Sequence, residues 1–294
     1  MKILVTGSNG QVGTALTGLL NIRDDVELLA VHRGELDITN QTAVDKLVLS
    51  FEPDFIINAA AYTAVDKAEQ EVALSYAINE QGAKYLAQAA NRINATILHI
   101  STDYVFAGDK EGIYSEENET TPQGVYGASK LAGEIAVAKA NTKHIILRTA
   151  WVFSEHGNNF VKTMLKLAKD KDALSIVGDQ FGGPTYAGDI AKALITIVDS
   201  IASKKDQAPF GIYHYTGLPN ISWFGFADYI FNCAVEQGLL KQTPFLTSIV
   251  TKQYPTPAKR PANSRLDLSK IKNSFAVEAC DWRKALTNLE FYKN

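Results

Sequence analysis

The chain has 294 residues, of which 46% are hydrophobic and 21% charged, and its formal net charge is −3 at pH 7. This length suits one large α/β domain or two smaller ones. The sequence has no basic cluster, so nothing in it indicates nucleic acid or anionic membranes as partners. No apolar stretch approaches the length of a membrane span and the N-terminus lacks a signal-peptide pattern, so we expect a soluble cytoplasmic protein whose two cysteines are reduced.

The first half of the sequence alternates short apolar runs with longer amphipathic stretches. Strands are predicted at KILVTG, VELLAV (26–31), DFIINAA, TILHIST and HIILRTA (144–150). Helices are predicted over 11–20, around 40–50, over 72–93, and from Tyr126 to about Ala140. Apolar strands separated by helices predict an α/β fold, a Rossmann-like doubly wound parallel sheet that binds ligands at the carboxyl ends of its strands.

The second half is less regular. SIVGDQFGGPT with the helix after it, and FGIYHYTG, predict further elements of the same sheet. Aromatic and proline residues elsewhere in this half predict a smaller, mostly C-terminal substrate-binding lobe. We therefore expect a dinucleotide-binding domain of residues 1–150 plus about 176–216, interleaved with a lobe of about 151–175 plus 217–294.

A glycine-rich turn follows the first predicted strand. TGSNGQVG places Gly7, Gly10 and Gly13 at the start of a helix. Glycines there let the backbone approach a pyrophosphate, and the helix N-terminus offers free N–H groups. The spacing differs from G-x-G-x-x-G, and ordinary glycine turns also join strands to helices, but the position favours nucleotide binding.

The segment after the second strand bears on the choice of cofactor. His32 and Arg33 occupy the position where an acidic residue usually holds a ribose 2′-hydroxyl. A guanidinium at Arg33 can pair with a 2′-phosphate, which favours NADPH, whereas an exposed loop arginine would leave NADH open. Asp37 follows on the same segment and can meet the adenine or ribose. The small residues of NAAA (58–61) allow close approach either of a cofactor or of a neighbouring helix.

VYGASKLAGE (125–134) places Tyr126 and Lys130 one turn apart on one face of a predicted helix. A nearby ammonium favours a phenolate and lowers the pKa of the tyrosine. Chance alone supplies about one such pair in this composition, so the pair needs support. Thr102 supplies it, because this hydroxyl ends a strand at the ligand-binding edge of the sheet. Gly127 and Gly133, in the same helix, are explained if the helix packs closely around the cofactor.

Together these motifs resemble the extended short-chain dehydrogenase/reductase family that acts on nucleotide-sugars. Within it, the chain is most similar to the dTDP-4-dehydrorhamnose reductases, through NAAAYTAVDKAE (58–69), STDYVFAG (101–108), RTAWVF (148–153), DQFGGPT (179–185) and RPANSRLD (260–267). The resemblance implies NAD(P)H-dependent reduction of the C4 ketone of dTDP-4-dehydro-L-rhamnose to dTDP-L-rhamnose, a step in dTDP-rhamnose biosynthesis for cell-surface polysaccharide.

The resemblance also implies residue roles. Tyr126 would donate the proton, Lys130 would hold the nicotinamide ribose and lower the pKa of Tyr126, and Thr102 would hydrogen-bond the reacting oxygen. Asp103 and Trp151 would lie on the sugar side. The implied cofactor contacts are Gly7, Gly10, Gln11, Val12, Gly13, Asp37, Ile38, Ala60, Ala61 and Thr63.

Three further residues have weaker support. Arg260 and Arg265 can grip a diphosphate with their guanidiniums, although surface arginines are usually only solvated. Asn79 matches an asparagine that the wider family places near the active site, although an amide on a helix surface explains it nearly as well. The five histidines show no metal-binding spacing, so no catalytic metal is predicted.

Two other functions remain open on the same fold. An epimerase or dehydratase would keep its nicotinamide tightly bound, and a regulatory subunit would bind NADP without catalysis. The intact Thr102, Tyr126 and Lys130 argue against the regulatory subunit. The residues decide neither the sugar stereochemistry nor the nucleotide base, and a monomer and a homodimer are both compatible with the sequence.

Overall fold

A computed structural model describes residues 1–204 and 208–293. Its strands are β1 (Lys2–Thr6), β2 (Glu27–Val31), β3 (Phe55–Asn58), β4 (Thr96–Thr102), β5 (His144–Thr149), β6 (Val152–Phe153), β7 (Ala173–Val177), β8 (Phe181–Gly182), β9 (Thr185–Tyr186), β10 (Gly211–His214), β11 (Gly217–Leu218), β12 (Ile221–Ser222), β13 (Phe245–Ile249), β14 (Asn263–Ser264) and β15 (Cys280–Asp281). Its α-helices are α1 (Gln11–Leu20), α2 (Gln41–Phe51), α3 (Val65–Ala68), α4 (Val72–Tyr76), α5 (Ala83–Arg92), α6 (Val125–Ala140), α7 (Phe160–Asp170), α8 (Ala187–Lys204), α9 (Trp223–Glu236) and α10 (Ser269–Phe275).

Six parallel strands form the central sheet, in the order β2-β1-β3-β4-β5-β10. This arrangement confirms the predicted α/β doubly wound sheet, and β10 confirms the prediction made for FGIYHYTG. The chain leaves β1 toward β2 on one side and later adds β3 on the other. The strand order therefore reverses between β1 and β3, which opens a crevice at their carboxyl ends.

Both faces of the sheet are covered, because successive side chains of a strand point to opposite sides. Ile3 and Val5 of β1 join a core that includes Leu16 of α1 and Leu194 of α8. Leu4, between them, joins a second core on the other face, with residues of α2 and α5. Apolar runs without strict alternation are thus explained by burial on both faces.

A third core lies away from the sheet. It gathers aromatic and aliphatic residues of β6, α7 and α9 with residues between positions 282 and 292, including Phe153, Met164, Phe226, Phe231, Trp282 and Leu289. Here the sequence prediction was wrong in one respect: SIVGDQFGGPT does not enter the central sheet. β7 pairs in parallel with β13, and β8 pairs with β12 and β14.

The predicted division into two lobes stays a prediction, although two observations bear on it. Most of the third core comes from residues in the span assigned to the smaller lobe. However, Ile271 and Phe275 of α10, within the span assigned to that lobe, pack into the core beneath the central sheet.

Among the described residues, no helix is both long and apolar enough to cross a membrane.

The predicted helix over 72–93 is interrupted by a π-helical turn, Ala77–Gly82, between α4 and α5. Such turns insert an extra residue and rotate the side chains that follow. Asn79 lies in this turn and is only 1% exposed. The interpretation of Asn79 as a helix-surface amide is therefore wrong.

Candidate active site

The glycine turn between β1 and α1 is closed by backbone contacts. Gly7 has a φ of +73°, and a Cβ added there would lie 2.6 Å from the backbone nitrogen of Ala60. A Cβ at Gly13 would overlap the carbonyl oxygen of Gly7. Gly10 precedes α1 without a side-chain cap, so the first N–H groups of the helix are free of side-chain acceptors. This turn has the form of an anion site at a helix N-terminus.

The first turn of α1 contributes Gln11 and Val12, which differ in exposure. Val12 is 8% exposed and packs into the core. The amide oxygen of Gln11 accepts hydrogen bonds from the Ser154 hydroxyl at 3.0 Å and from the Asn159 amide at 3.1 Å. Gln11 thereby joins the glycine turn to the segment that leads into α7.

The segment after β2 presents the predicted adenosine contacts. Arg33 is exposed, and the Asp37 carboxylate accepts hydrogen bonds from the Thr39 hydroxyl and backbone. These hydrogen bonds hold the pKa of Asp37 below its ordinary value. The side chain of Ile38 is buried against Gly82, so it belongs to the core. Three other predicted contacts follow β3: Ala60, Ala61 and Thr63.

The end of β4 carries two polar residues that are buried together. The Thr102 hydroxyl donates to the Asp103 carboxylate at 3.0 Å and accepts from the backbone nitrogen of Tyr104 at 3.2 Å. Burial raises the pKa of Asp103 to about 6. The ring of Tyr126 meets that of Tyr104 edge-on, with centroids 5.4 Å apart. The structure therefore brings Thr102, Asp103 and Tyr126 to one edge of the sheet.

Tyr126 and Lys130 share a helix face but differ in their surroundings. Burial raises the pKa of Tyr126 above its ordinary value, and the Thr102 hydroxyl acts in the opposite direction. Lys130 Nζ donates to the carbonyl of Ile100 at 2.6 Å and lies 3.3 Å from Nε2 of His99. The predicted lowering of the Tyr126 pKa by Lys130 is therefore wrong in this structure, because the amine bonds β4 instead.

The two glycines of α6 have a different explanation from the predicted one. A Cβ at Gly127 would overlap the carbonyl oxygen of Tyr104, and one at Gly133 would overlap that of Asn79. Both glycines thus let α6 approach other backbone segments of the protein. That approach places Tyr126 beside Tyr104 and Ser129 within 3.0 Å of the Asn79 amide.

The predicted sugar-side residues come from distant parts of the chain. Trp151, at a φ of +50°, stacks on Trp223 with ring centroids 3.5 Å apart. Arg260 pairs with the Asp66 carboxylate at 2.6 Å, and its guanidinium lies 3.4 Å from the Tyr104 hydroxyl. Arg260 therefore lies next to the edge of the sheet that carries Thr102, Asp103 and Tyr126.

Arg265 lies elsewhere in the same segment. Its guanidinium donates to the side-chain oxygen of Asn263 at 2.8 Å. Asn263 in turn donates to the carbonyls of Lys110 and Gly112, which fixes the segment against the chain that follows β4.

Sequence reasoning missed two residues here. His99, in TILHIST, looks like a lone core histidine, and only the packing of α6 over β4 shows that it meets Lys130. Trp223 lies 72 positions after Trp151 in the sequence, and no local pattern links the two.

In the described ranges, no group of three or more His, Cys, Asp or Glu side chains is placed to hold a metal ion.

Known proteins match this chain over nearly its full length. The family model for the RmlD substrate binding domain matches residues 1–291. A dTDP-4-dehydrorhamnose reductase of Aggregatibacter actinomycetemcomitans is 51% identical over 291 residues, covering 99% of each chain. The chain belongs to the dTDP-4-dehydrorhamnose reductase family.

Solved structures of dTDP-4-dehydrorhamnose reductases share the fold. The reductase of Clostridium acetobutylicum superposes with a TM-score of 0.90 at 39% identity, over 98% of this chain and 97% of that one. The reductase of Bacillus anthracis, solved in complex with NADP, gives 0.87 at 36% identity, over 97% and 96% of the two chains. The family resemblance and the fold predicted from the sequence are both confirmed.

Proposed function

We propose that this chain reduces the C4 ketone of dTDP-4-dehydro-L-rhamnose to the alcohol of dTDP-L-rhamnose, as an NAD(P)H-dependent oxidoreductase of dTDP-rhamnose biosynthesis. The observation that carries the proposal is the match over nearly the full chain to reductases of that name, at up to 51% identity. The hydroxyl, phenol and amine expected of such an enzyme are all retained, at Thr102, Tyr126 and Lys130.

The residues present fit a dinucleotide. Gly7 and Gly13 keep the turn free of side chains, and the uncapped start of α1 offers N–H groups to a pyrophosphate. The complex of the Bacillus anthracis reductase with NADP supports NADPH as the cofactor, with NADH as the second candidate. When bound, the reduced nicotinamide supplies the hydride that the reaction needs.

The proton would come from the catalytic edge, the name we give to the group Thr102, Asp103, Tyr126 and Lys130. Burial keeps the Tyr126 phenol protonated at neutral pH, so it is an acid ready to donate to the C4 oxygen as negative charge develops there. The Thr102 hydroxyl, which donates to Asp103 in this structure, would turn to donate to the same oxygen and stabilise that charge in a buried site. Lys130, in this proposal, holds the nicotinamide ribose. Hydride at carbon and proton at oxygen together complete the alcohol.

The sugar nucleotide would lie between the catalytic edge and the aromatic pair. In this proposal the stacked rings of Trp151 and Trp223 would give the sugar an apolar surface, and Asp103 would give it an acceptor. Arg260 would contact the diphosphate, exchanging its bond to Asp66 for a bidentate one. Arg265 would act nearby in the same segment. The free thiols of Cys233 and Cys280 agree with a reducing compartment, and we place the reaction in the cytoplasm.

The test is loss of nicotinamide absorbance when dTDP-4-dehydro-L-rhamnose is generated in the presence of NADPH. Tyr126→Phe should lower kcat by about 10²–10⁴-fold, because general acid catalysis contributes that much, while NADPH affinity stays unchanged. Tyr104→Phe is the matched control, since it removes a neighbouring hydroxyl and keeps the ring contact. Tyr104→Phe should change kcat by only a few-fold, and equal loss in both variants would contradict the role of Tyr126.

Wild-type protein that binds NADPH but does not oxidise it with this sugar would contradict the proposed reaction. The cofactor content of the purified protein separates the alternatives. Nicotinamide retained in a 1:1 ratio would favour an epimerase or dehydratase. Exchangeable NADPH without turnover of any nucleotide keto-sugar would favour a regulatory subunit.

A further inference from the structure

The first turn of α6, which carries Tyr126, is not capped by its own residues. Gly124 occupies the N-cap position and has no side chain to offer, and the N–H of Ala128 makes the first bond inside the helix, to the Gly124 carbonyl. The N–H groups that precede Ala128 have no acceptor within the helix. An acceptor for them has to come from solvent or from another part of the chain.

Glu69 supplies such an acceptor from 56 positions earlier in the chain. Its Oε1 accepts a hydrogen bond from the backbone N–H of Val125 at 2.8 Å. Glu69 directly follows α3, so tertiary packing rather than local sequence brings this cap to α6. A carboxylate at this place also opposes the partial positive charge of a helix N-terminus.

The glycine at position 124 makes room for this carboxylate. A Cβ there would lie 2.8 Å from Oε1 of Glu69, closer than a Cβ and an oxygen approach in folded proteins. The backbone of Gly124 is extended, with a φ of −152°, so a left-handed conformation is not the reason for a glycine. The contact with Glu69 explains it instead.

The cap acts on the backbone next to Tyr126. Val125, whose N–H is bound by Glu69, shares a peptide bond with Tyr126. On the other side, the Tyr126 carbonyl accepts a hydrogen bond from the Ser129 hydroxyl at 2.9 Å. The backbone before and after the phenol-bearing residue is thus held by side chains, which limits the directions in which the phenol can point.

The segment that carries Glu69 is anchored independently of α6. Asp66, in α3, accepts hydrogen bonds from the guanidinium of Arg260 at 2.6 Å and from the backbone N–H of Ala258 at 3.2 Å. Ala68, between the two acidic residues, is fully buried. Glu69 therefore stands on a fixed segment, as a group that positions another must.

We propose that Glu69 is a positioning residue for the reductase reaction: its carboxylate fixes the first turn of α6 and thereby the direction of the Tyr126 phenol. Glu69 touches neither sugar nor cofactor in this proposal and acts only through the backbone of Val125. The catalytic consequence rests on the proposed function, whereas the placement of the Tyr126 ring does not.

The placement of the ring is tested by NMR without any turnover. In protein labelled with ¹³Cζ-tyrosine, the signal of Tyr126 is identified by its loss in Tyr126→Phe. That signal should shift in Glu69→Ala. It should stay in place in the matched control Glu71→Ala, because the Glu71 carboxylate accepts from the Tyr62 hydroxyl instead. An unmoved Tyr126 signal in Glu69→Ala would overturn the proposal, whether or not the protein reduces the expected sugar.

Kinetics separate positioning from simple stabilisation of the helix. Glu69→Ala should lower kcat about tenfold to a hundredfold, as for a displaced catalytic group, with little change in the KM of the sugar or the Kd of NADPH. Glu69→Gln keeps an oxygen acceptor for the Val125 N–H, so it should restore most of kcat. Glu71→Ala should leave kcat unchanged. A lower melting temperature of Glu69→Ala with unchanged kcat, or no gain from glutamine over alanine, would overturn the positioning role.

Gly124→Ala tests the same contact with Glu69 still present. The added methyl should push the carboxylate away from Val125, so we expect a similar fall in kcat and a similar shift of the Tyr126 signal. In the double variant Glu69→Ala/Gly124→Ala the two losses should not add, because each change removes the same hydrogen bond. Full additivity would overturn the proposal. Thermal unfolding checks that folded proteins are compared, and if Glu69→Ala does not fold, Gly124→Ala and Glu69→Gln decide.

Discussion

The two ends of the candidate site are built from different parts of the chain. The glycine turn (residues 7–13) is closed by backbone atoms, and a Cβ at Gly13 has no room. The catalytic edge (Thr102, Asp103, Tyr126 and Lys130) is built from side chains, of which Thr102 and Lys130 are 5% and 2% exposed. Substitution should therefore affect folding and cofactor binding at the first end. At the second end it should affect protonation, because burial there sets the pKa values.

The largest expected effect on the free energy of unfolding is at the glycine turn. Gly13→Ala should lower the free energy of unfolding by about 3 kcal/mol or more, the upper range of overpacking, because the added methyl overlaps the Gly7 carbonyl. NADPH binding should weaken in parallel, since the turn must open. Denaturant unfolding and cofactor titration measure the two effects.

Gly18→Ala is the matched control in the same helix. Nothing lies within 4 Å of a Cβ at Gly18, so alanine should raise the stability of α1 by about 0.5–1 kcal/mol. If Gly13→Ala were as stable as Gly18→Ala, the turn would not be backbone-limited and the contrast between the two ends would fail.

A smaller effect is expected at Asp103. Its displacement from an ordinary pKa of 3.8 to about 6 corresponds to roughly 3 kcal/mol at most. Asp103→Asn should therefore raise the free energy of unfolding at neutral pH by about 1–2 kcal/mol, because the buried carboxylate no longer needs to ionise. Urea unfolding at a series of pH values measures it.

The direction of this pH dependence follows from how tightly the folded and unfolded proteins bind the proton of Asp103. The folded protein holds a proton on Asp103 more tightly than the unfolded chain does, so this residue's contribution to stability is fully present below the unfolded pKa. The contribution is lost as pH rises through about 6. The gain from Asp103→Asn should accordingly vanish in acid. A gain that is independent of pH would show that ionisation of Asp103 is not its cause.

The smallest expected effect is at Arg33. This exposed side chain can favour the 2′-phosphate of NADPH only through a solvated contact, which is worth little. Arg33→Ala should weaken NADPH binding about two- to fivefold and leave NADH binding unchanged, which serves as the internal control. Equal weakening for both cofactors would mean that Arg33 shapes the loop rather than reading the phosphate.

The sequence was enough to predict the central sheet, because each strand is an apolar run long enough to cross a core. It was not enough for SIVGDQFGGPT, since a short apolar run does not say which strand will pair with it. β7 pairs with β13, and each residue of β7 lies opposite a residue 72 positions later in the chain. Pairing at that distance depends on the third core rather than on local pattern.

The glycine turn and the Tyr126–Lys130 helix were visible in the sequence because their chemistry lies in local spacing. The partners of these residues were not visible. The sequence left two interpretations of Asn79 open, because a π-helical turn changes which side chains face inward and no sequence pattern reveals that turn. His99 was passed over because its contact with Lys130 forms only when the glycines of α6 let the helix settle on its neighbours.

The side chain of Gln11 has a thermodynamic consequence. One oxygen, in the first turn of α1, receives hydrogen bonds from Ser154 and Asn159 at the same time. A ligand at the glycine turn that displaces this oxygen breaks both hydrogen bonds and so disturbs the segment leading into α7. The free energy of binding at the glycine turn is then coupled to the free energy of binding near Ser154. Such coupling is reciprocal. Whatever factor a dinucleotide imposes on the affinity of a group bound near Ser154, that group imposes the same factor on the dinucleotide.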